Sequence, residues 1–207
     1  SQVADEDITV TLASSGVATN GTDYSSLGGQ TITISAGSTT GTITGTPTDD
    51  SVYEGDEVAT ISISSVSGAD ASESGSQSVS ITITENESAP TITLATSTSS
   101  VAENSGTSVT LTATASQTAD EDIIITLSTS GVATDGTDYT SINSTTITIS
   151  AGSTTGTKSF TPTDDSVYEG DEVATIAIST VSGGGATERG TQSETITITE
   201  NESAPTV

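Results

Sequence analysis

TTITISAGSTTGTKSFTPTDDSVYEGDEVATIAIST occupies residues 145–180. Within it, TTITIS (145–150), TKSFTPT (157–163) and EVATIAIST (172–180) alternate Thr or Ser with Ile, Val or Phe. An apolar residue at every second position is the pattern of a strand with one face in a core and one in water. The intervening SAGST and DDSVYEGD are turn compositions, the first free of charge and the second crowded with it.

Working outward, the same alternation recurs in TITL (91–94), SVTLTATAS (108–116), IIITLS (123–128) and ETITIT (194–199). Turn signals stand between them at NSG, DGTD and SGGG, and no segment carries a helical period. Seven short strands in about 100 residues predict an all-β, immunoglobulin-like antiparallel β-sandwich. Outward Thr and Ser suit strands and keep the surface wet. Phe160, Tyr139 and Tyr168 are the large aromatic side chains available to that core, so modest intrinsic stability is expected.

Displaced by 115 residues, the chain matches itself. Residues 1–92 align without a gap on 116–207, with 68 of 92 positions identical, and TPTDDSVYEGDE (46–57) returns letter for letter at 161–172. That period is too long for a solenoid repeat and fits a whole small domain. Three segments follow: 1–87, a domain without its N-terminal strands; 88–202, a complete domain; and 203–207, the start of a further repeat. With no initiator Met, signal peptide or apolar run of membrane-spanning length, the chain reads as a processed or excised piece of a longer repetitive polymer.

The formal net charge is −26, from 28 acidic and two basic residues, Lys158 and Arg189. No cationic surface exists to displace counterions from nucleic acid, and anionic membranes would repel the chain. Cys, His, Met and Trp are absent, which removes disulfides, thiolate or imidazole metal sites and His-based acid–base chemistry.

The acids sit at strand ends. Glu103 lies between the first and second strands of the complete unit, and Asp138 before the fourth. Asp164, Asp165, Glu169, Asp171 and Glu172 lie between the fifth and sixth, and Glu200 and Glu202 after the seventh. In an antiparallel sandwich those connections share one end, so about eight carboxylates converge on one pole. Carboxylates repel, and a pair 4 Å apart costs about 4 kcal/mol at an effective dielectric near 20. The cluster is therefore either spread in water or held by a cation. Six to eight hard oxygen ligands without nitrogen or sulfur point to Ca²⁺, with Mg²⁺ second.

DYTSINSTTITISAGSTTGTKSFTPTDDSVYEGDE (138–172) resembles the Calx-β domain in its DY, its AGS turn and its DDxxxExxDE loop; VAENSG and TENES resemble that family's acidic opening and exit. The resemblance spans essentially all of 88–202 and 1–87. It implies a seven-stranded sandwich that binds calcium at one pole. The implied ligands are Glu103, Asp138, Asp164, Asp165, Glu169, Glu172, Glu200 and Glu202. In the first unit they are Asp23, Asp49, Asp50, Glu54, Glu57, Glu85 and Glu87. Glu-Asn-Glu stands where the family often has an Asp triplet. Near-identical Thr- and Ser-rich tandem units look like the large bacterial surface proteins of the family.

Alone, the DDSVYEGDE loop is equally a solvated acidic turn. Asp171 and Asp56 are expected to point outward, and Glu121, Asp122, Glu6 and Asp7 to form a charged strand edge that discourages lateral pairing. Catalysis is disfavoured: the same constellation recurs in each unit, without His or an aromatic sugar platform. The expected function is a calcium-binding structural repeat in the extended shaft of a secreted or surface-anchored adhesin. The location is extracellular, at the cell surface. Neighbouring repeats of the same chain are the direct partners; surface glycans or proteins would be met through other domains, with no nucleic acid and no membrane insertion. The alternative is a specific carbohydrate- or protein-binding, or calcium-sensing, module.

Overall fold

The computed structural model describes residues 2–207. They form two compact units: the chain up to Ser51 with Gly55–Asn86, and Val52–Glu54 with Glu87–Val207.

The first unit holds β1 (Ile8–Gly16), β2 (Thr31–Ile34), β3 (Glu57–Ser67) and β4 (Ser78–Ile83), joined antiparallel in the order β2-β1-β3-β4. Leu12, Tyr24, Leu27, Ala59 and Ile61 are buried on one side of this sheet. No second sheet covers that side among the described residues.

The second unit contains β5 (Thr91–Thr96), β6 (Ser100–Ala102), a 3₁₀ turn at Glu103–Ser105, β7 (Val109–Ala115), β8 (Ile123–Gly131), β9 (Thr146–Ile149), β10 (Thr155–Phe160), β11 (Glu172–Ser182), β12 (Thr187–Glu188) and β13 (Ser193–Thr199). They make two sheets, β10-β7-β5-β12 and β6-β13-β11-β8-β9. The period-two pattern does what it predicts. Val109, Leu111, Ala113 and Ala115 face inward from one sheet, and Ile123, Ile125, Leu127, Ile176 and Ile196 from the other. Tyr139 and Phe160 fill the middle, their rings stacked at 4.5 Å and 25°.

Three expectations are corrected. The second unit has nine extended segments rather than seven, because β6 and β12 each add a short pairing, and both pairings are parallel. Tyr168 is no core residue: it is 44 % exposed in the acidic loop. Glu121 and Asp122 do not guard a sheet edge, since β8, which they precede, lies inside its sheet. They tie loops instead. Asp122 Oδ1 accepts from Ala151 N–H at 2.8 Å and Glu121 Oε2 from Gly184 N–H at 3.3 Å, and Asp7 accepts likewise from Ala36 N–H.

The two units differ where the second sheet is concerned. Residues 40–45 align with β10 but form no strand, for a strand needs a neighbour and β7 has no counterpart here. Ile81 is 50 % exposed, whereas Ile196, which aligns with it, is fully buried.

Candidate metal centre

Four connections meet at one end of the second unit. The 3₁₀ turn carries Glu103, and the turn before the β9 hairpin carries Asp138. The β10–β11 loop carries Asp164 to Glu172, and the exit of β13 carries Glu200 and Glu202. Glu103 is buried although it is an acid.

Backbone amides knit these elements together. Asp165 N–H donates to Glu103 Oε1 at 3.2 Å. Glu169 and Gly170 N–H both donate to Glu200 Oε2, at 2.6 and 2.8 Å. Glu200 N–H in turn donates to Asp171 Oδ1 at 3.0 Å. Asp138 is anchored by Thr134 N–H at 2.5 Å. Beside it, Asp135 receives Ser141 Oγ–H and the amides of Ile142 and Asn143. These bonds use one or two lone pairs on each carboxylate and leave others facing one another.

Two carboxylate trios result, each with oxygens within 4.8 Å of one another: Glu103, Glu200 and Glu202; and Asp138, Glu169 and Glu172. Asp164 and Asp165 add charge beside Glu103. In the first unit Asp23 and Glu57, which align with Asp138 and Glu172, are buried acids. There Gly55 N–H donates to Glu85 at 2.8 Å, Glu85 N–H to Asp56 at 2.9 Å, and Asn86 Nδ2 to Asp49 at 3.0 Å. Among the described residues no trio takes in Asp50, Glu85 or Glu87, whose counterparts Asp165, Glu200 and Glu202 gather around Glu103.

The electrostatics are those of anions crowded without a counter-charge. Burial, then a hydrogen bond and the charge of Asp138, push Glu172 up to about 7. Burial and the charges of Glu200, Asp165 and Asp164 raise Glu103, and its hydrogen bond to Glu200 raises Glu202. Glu200 goes the other way, to about 2, because the amides of Glu202, Glu169 and Gly170 all point at it.

Glu202 Oε2 is buried and has no hydrogen-bond partner. A carboxylate oxygen withdrawn from water without a partner is costly. Glu202 belongs to a trio whose other members are also acceptors, so they cannot satisfy it, whereas a cation can. The donor set, all carboxylate oxygen without nitrogen or sulfur, fits a hard divalent cation.

Sequence reasoning missed two residues. Asp171 is exposed as expected, yet its carboxylate positions the Glu200 backbone. Asp135 organises the Asp138 turn; the signal available was its place at an Asx-type turn, where Asn20 of the first unit makes the same bonds to Leu27 and Gly28 N–H.

No curated protein matches the chain. Among solved structures, the apo form of the Calx CBD1 domain is 20 % identical, with 55 % of this chain and 99 % of that chain covered and a TM-score of 0.44. CBD12 from CALX1.2 is 13 % identical, with 97 % and 90 % covered and a TM-score of 0.41. The Calx-beta domain family matches twice in succession, over residues 1–87 and 85–202. On this β-sandwich architecture with its acidic pole, the chain belongs to the Calx-beta domain family.

Proposed function

We propose that each unit binds calcium at its acidic pole and that the tandem array is a calcium-stiffened structural repeat. Calx-beta domains are calcium-binding modules, and the observation that carries the reading to this chain is the buried, unpartnered Glu202 Oε2 facing Glu103 and Glu200. Glu103, Glu200 and Glu202, with Asp164 and Asp165 beside them, would hold one ion; Asp138, Glu169 and Glu172 would hold another. By alignment, Asp23, Asp49, Asp50, Glu54, Glu57, Glu85 and Glu87 are the acids of the first repeat proposed to serve the same purpose. The bound cation supplies positive charge where the chain has none, and the residues supply a preorganised ring of oxygens.

The finer role proposed is the shaft of a secreted or surface-anchored adhesin. It is supported by tandem units of which 68 of 92 aligned positions are identical, every acid of the pole except the unaligned Glu103 among them. Millimolar calcium outside cells matches the weak affinity of extracellular oxygen sites, about 10⁻⁴–10⁻³ M. The role is one of binding, not catalysis, and neighbouring repeats are the partners.

The test is thermal melting of the whole chain in EGTA, CaCl₂ and MgCl₂. Calcium at ten to a hundredfold above Kd adds about 1.4–2.7 kcal/mol per ion. The upper transition should rise by roughly 5–10 °C in calcium only, and the gain should shrink in the Asp164→Ala, Asp165→Ala variant, which weakens the Glu103 site and leaves the Asp138 site. Equal melts in all three buffers would reject the reading.

A further inference from the structure

Asn20–Gly21 is the one Asn–Gly pair in the sequence; Asn86, Asn104, Asn143 and Asn201 are each followed by Glu or Ser. An asparagine before glycine is the most prone to lose its side-chain amide. No side chain on the next residue hinders attack by that residue's backbone nitrogen, and glycine reaches the conformations the attack needs. The aligned pair in the second repeat is Asp135–Gly136, which has the sequence of that reaction's product. The two turns are built alike. Asn20 Oδ1 accepts from Leu27 N–H at 2.8 Å and Gly28 N–H at 3.0 Å, and its Nδ2 donates to Ser26 Oγ at 3.0 Å. Asp135 Oδ1 accepts from the N–H groups of Ile142 and Asn143 at 2.9 and 3.2 Å, and its Oδ2 from Ser141 Oγ–H at 2.5 Å. The glycine lies at φ +89° in one and +83° in the other. Its N–H donates to a tyrosine carbonyl in both, Gly21 to Tyr24 O at 2.9 Å and Gly136 to Tyr139 O at 3.0 Å.

We propose that Asn20 is a deamidation site gated by this turn: closed while the turn is intact, and converted to an aspartyl residue that the turn accepts unchanged. The Gly21 nitrogen gives its proton to a base of the medium and attacks Asn20 Cγ. The N–Cγ bond forms, the Cγ–Nδ2 bond breaks, and the nitrogen leaves as ammonia with a proton from solvent. Water then opens the resulting succinimide at one carbonyl or the other, to an aspartyl or an isoaspartyl residue, and nothing is oxidised or reduced. The folded turn obstructs the first step. The two N–H groups on Oδ1 polarise the carbonyl, which favours attack. Yet the attacking nitrogen is tied to Tyr24 O, and the amide is pinned at both ends by those N–H groups and by Ser26. Ring closure needs these bonds to give, so it follows local opening of the turn. The aspartate, once formed, finds what Asp135 finds: two N–H donors and a serine hydroxyl. It brings a negative charge three residues from Asp23, as Asp135 does three residues from Asp138. The isoaspartyl form, with its added main-chain carbon, does not fit the frame.

The whole chain is incubated at mildly alkaline pH in buffer and in denaturing urea, both with EGTA, so that the outcome is independent of the calcium reading. Samples are digested with pepsin, and Asn20 is followed by mass spectrometry as a gain of one mass unit. Conversion should be at least about tenfold slower in buffer than in urea, since only molecules with the turn open react. Ser26→Ala, at an exposed position, removes the hydroxyl that holds Nδ2. It should speed conversion in buffer and leave the rate in urea unchanged. The Asn20→Asp chain should melt as the wild type does. The proposal is overturned if Asn20 converts equally fast in buffer and in urea, or if it survives in urea. It is equally overturned if Ser26→Ala leaves the rate in buffer unchanged, or if Asn20→Asp lowers the melting point.

Discussion

Glu172 gives the sharpest handle on the acidic pole. Its carboxyl is pushed up from 4.5 to about 7 by burial first and then by its hydrogen bond and repulsion with Asp138. The sign follows from linkage. A folded-state value above the unfolded one means that the folded chain takes up the proton first as pH falls. Stability therefore rises as pH drops from about 8 towards 5, and the metal-free chain is at its weakest in the alkaline part of that range. Glu200, held at about 2, acts in the opposite sense: its contribution is present above 4.5 and is lost as pH falls towards 2. The metal-free second unit should thus be most stable near pH 5, between the two. For Glu172 alone, a rise from 4.5 to about 7 corresponds to roughly 3 kcal/mol at 1.36 kcal/mol per pH unit. Solvent screening of a half-open site leaves about 1 kcal/mol of that, or about 4 °C in Tm for a domain of this size.

Calcium should erase and then reverse this dependence, because a bound cation favours the ionised carboxylates and competes with the proton on Glu172. The assay is a set of circular-dichroism melts between pH 8 and pH 5, in EGTA and in excess CaCl₂, on the wild-type chain and on Glu172→Gln. In EGTA the wild-type upper transition should climb by about 4 °C as pH falls, and Glu172→Gln should climb less and be the more stable of the two at pH 8. In calcium the wild type should lose its gain below pH 7. A wild-type melt in EGTA that falls from pH 8 to pH 5, or a Glu172→Gln slope equal to the wild type's, would refute the reasoning.

Other perturbations test the frame around the site. Glu103→Gln should lower the calcium stoichiometry by calorimetry by one ion per chain, since the trio with Glu200 and Glu202 loses a charged member. Phe160→Ala removes the fully buried ring that stacks on Tyr139 and should cost about 3–5 kcal/mol in urea unfolding of the second unit. Gly131 sits at φ +122°, and an added Cβ would come 2.1 Å from Val173 O; Gly131→Ala should lower the melting point by about 8 °C or more. Asp135→Asn should be nearly neutral because Asn20 makes the same amide contacts in the first unit, whereas Asp135→Ala should cost about 1–3 kcal/mol and weaken calcium binding.

The long strands β7, β8 and β11 were legible because each holds three or more inward apolar residues in strict alternation. β11, with Ala174, Ile176 and Ile178 buried, is the clearest case. β6 and β12 were not legible, because two or three paired residues carry no period, and their pairing depends on where β13 and β5 already lie. Convergence of the acidic loops was legible for the opposite reason. Strand order alone brings the connections of Glu103, Asp138, Glu172 and Glu200 to one end, whatever the side chains do. Asp122 and Glu121 misled because a charged pair beside a strand reads as edge protection; their amide contacts to Ala151 and Gly184 are long-range and leave no local signal. Tyr168 misled because an aromatic in a lean core composition reads as core, while the loop that holds it is tethered outward by its acids.

The pole and the core are separable in this chain, and the two units show why. The amide of Gly55 on Glu85 and that of Gly170 on Glu200 are the same bond, as are those that Asp56 and Asp171 accept from the β4 and β13 exits. All of these contacts lie on one sheet and its loops, so the first unit builds them without a second sheet. Asp23 and Glu57 are placed for the same reason, as the counterparts of Asp138 and Glu172. The trio of Glu103, Glu200 and Glu202 is different, because Glu103 arrives on the 3₁₀ turn between β6 and β7, part of the segment that also covers the core. One segment thus supplies the apolar lid and the acid that turns Glu200 and Glu202 into a trio. Closing the core and completing the second ion site are one structural event, and each is expected to strengthen the other by the same factor.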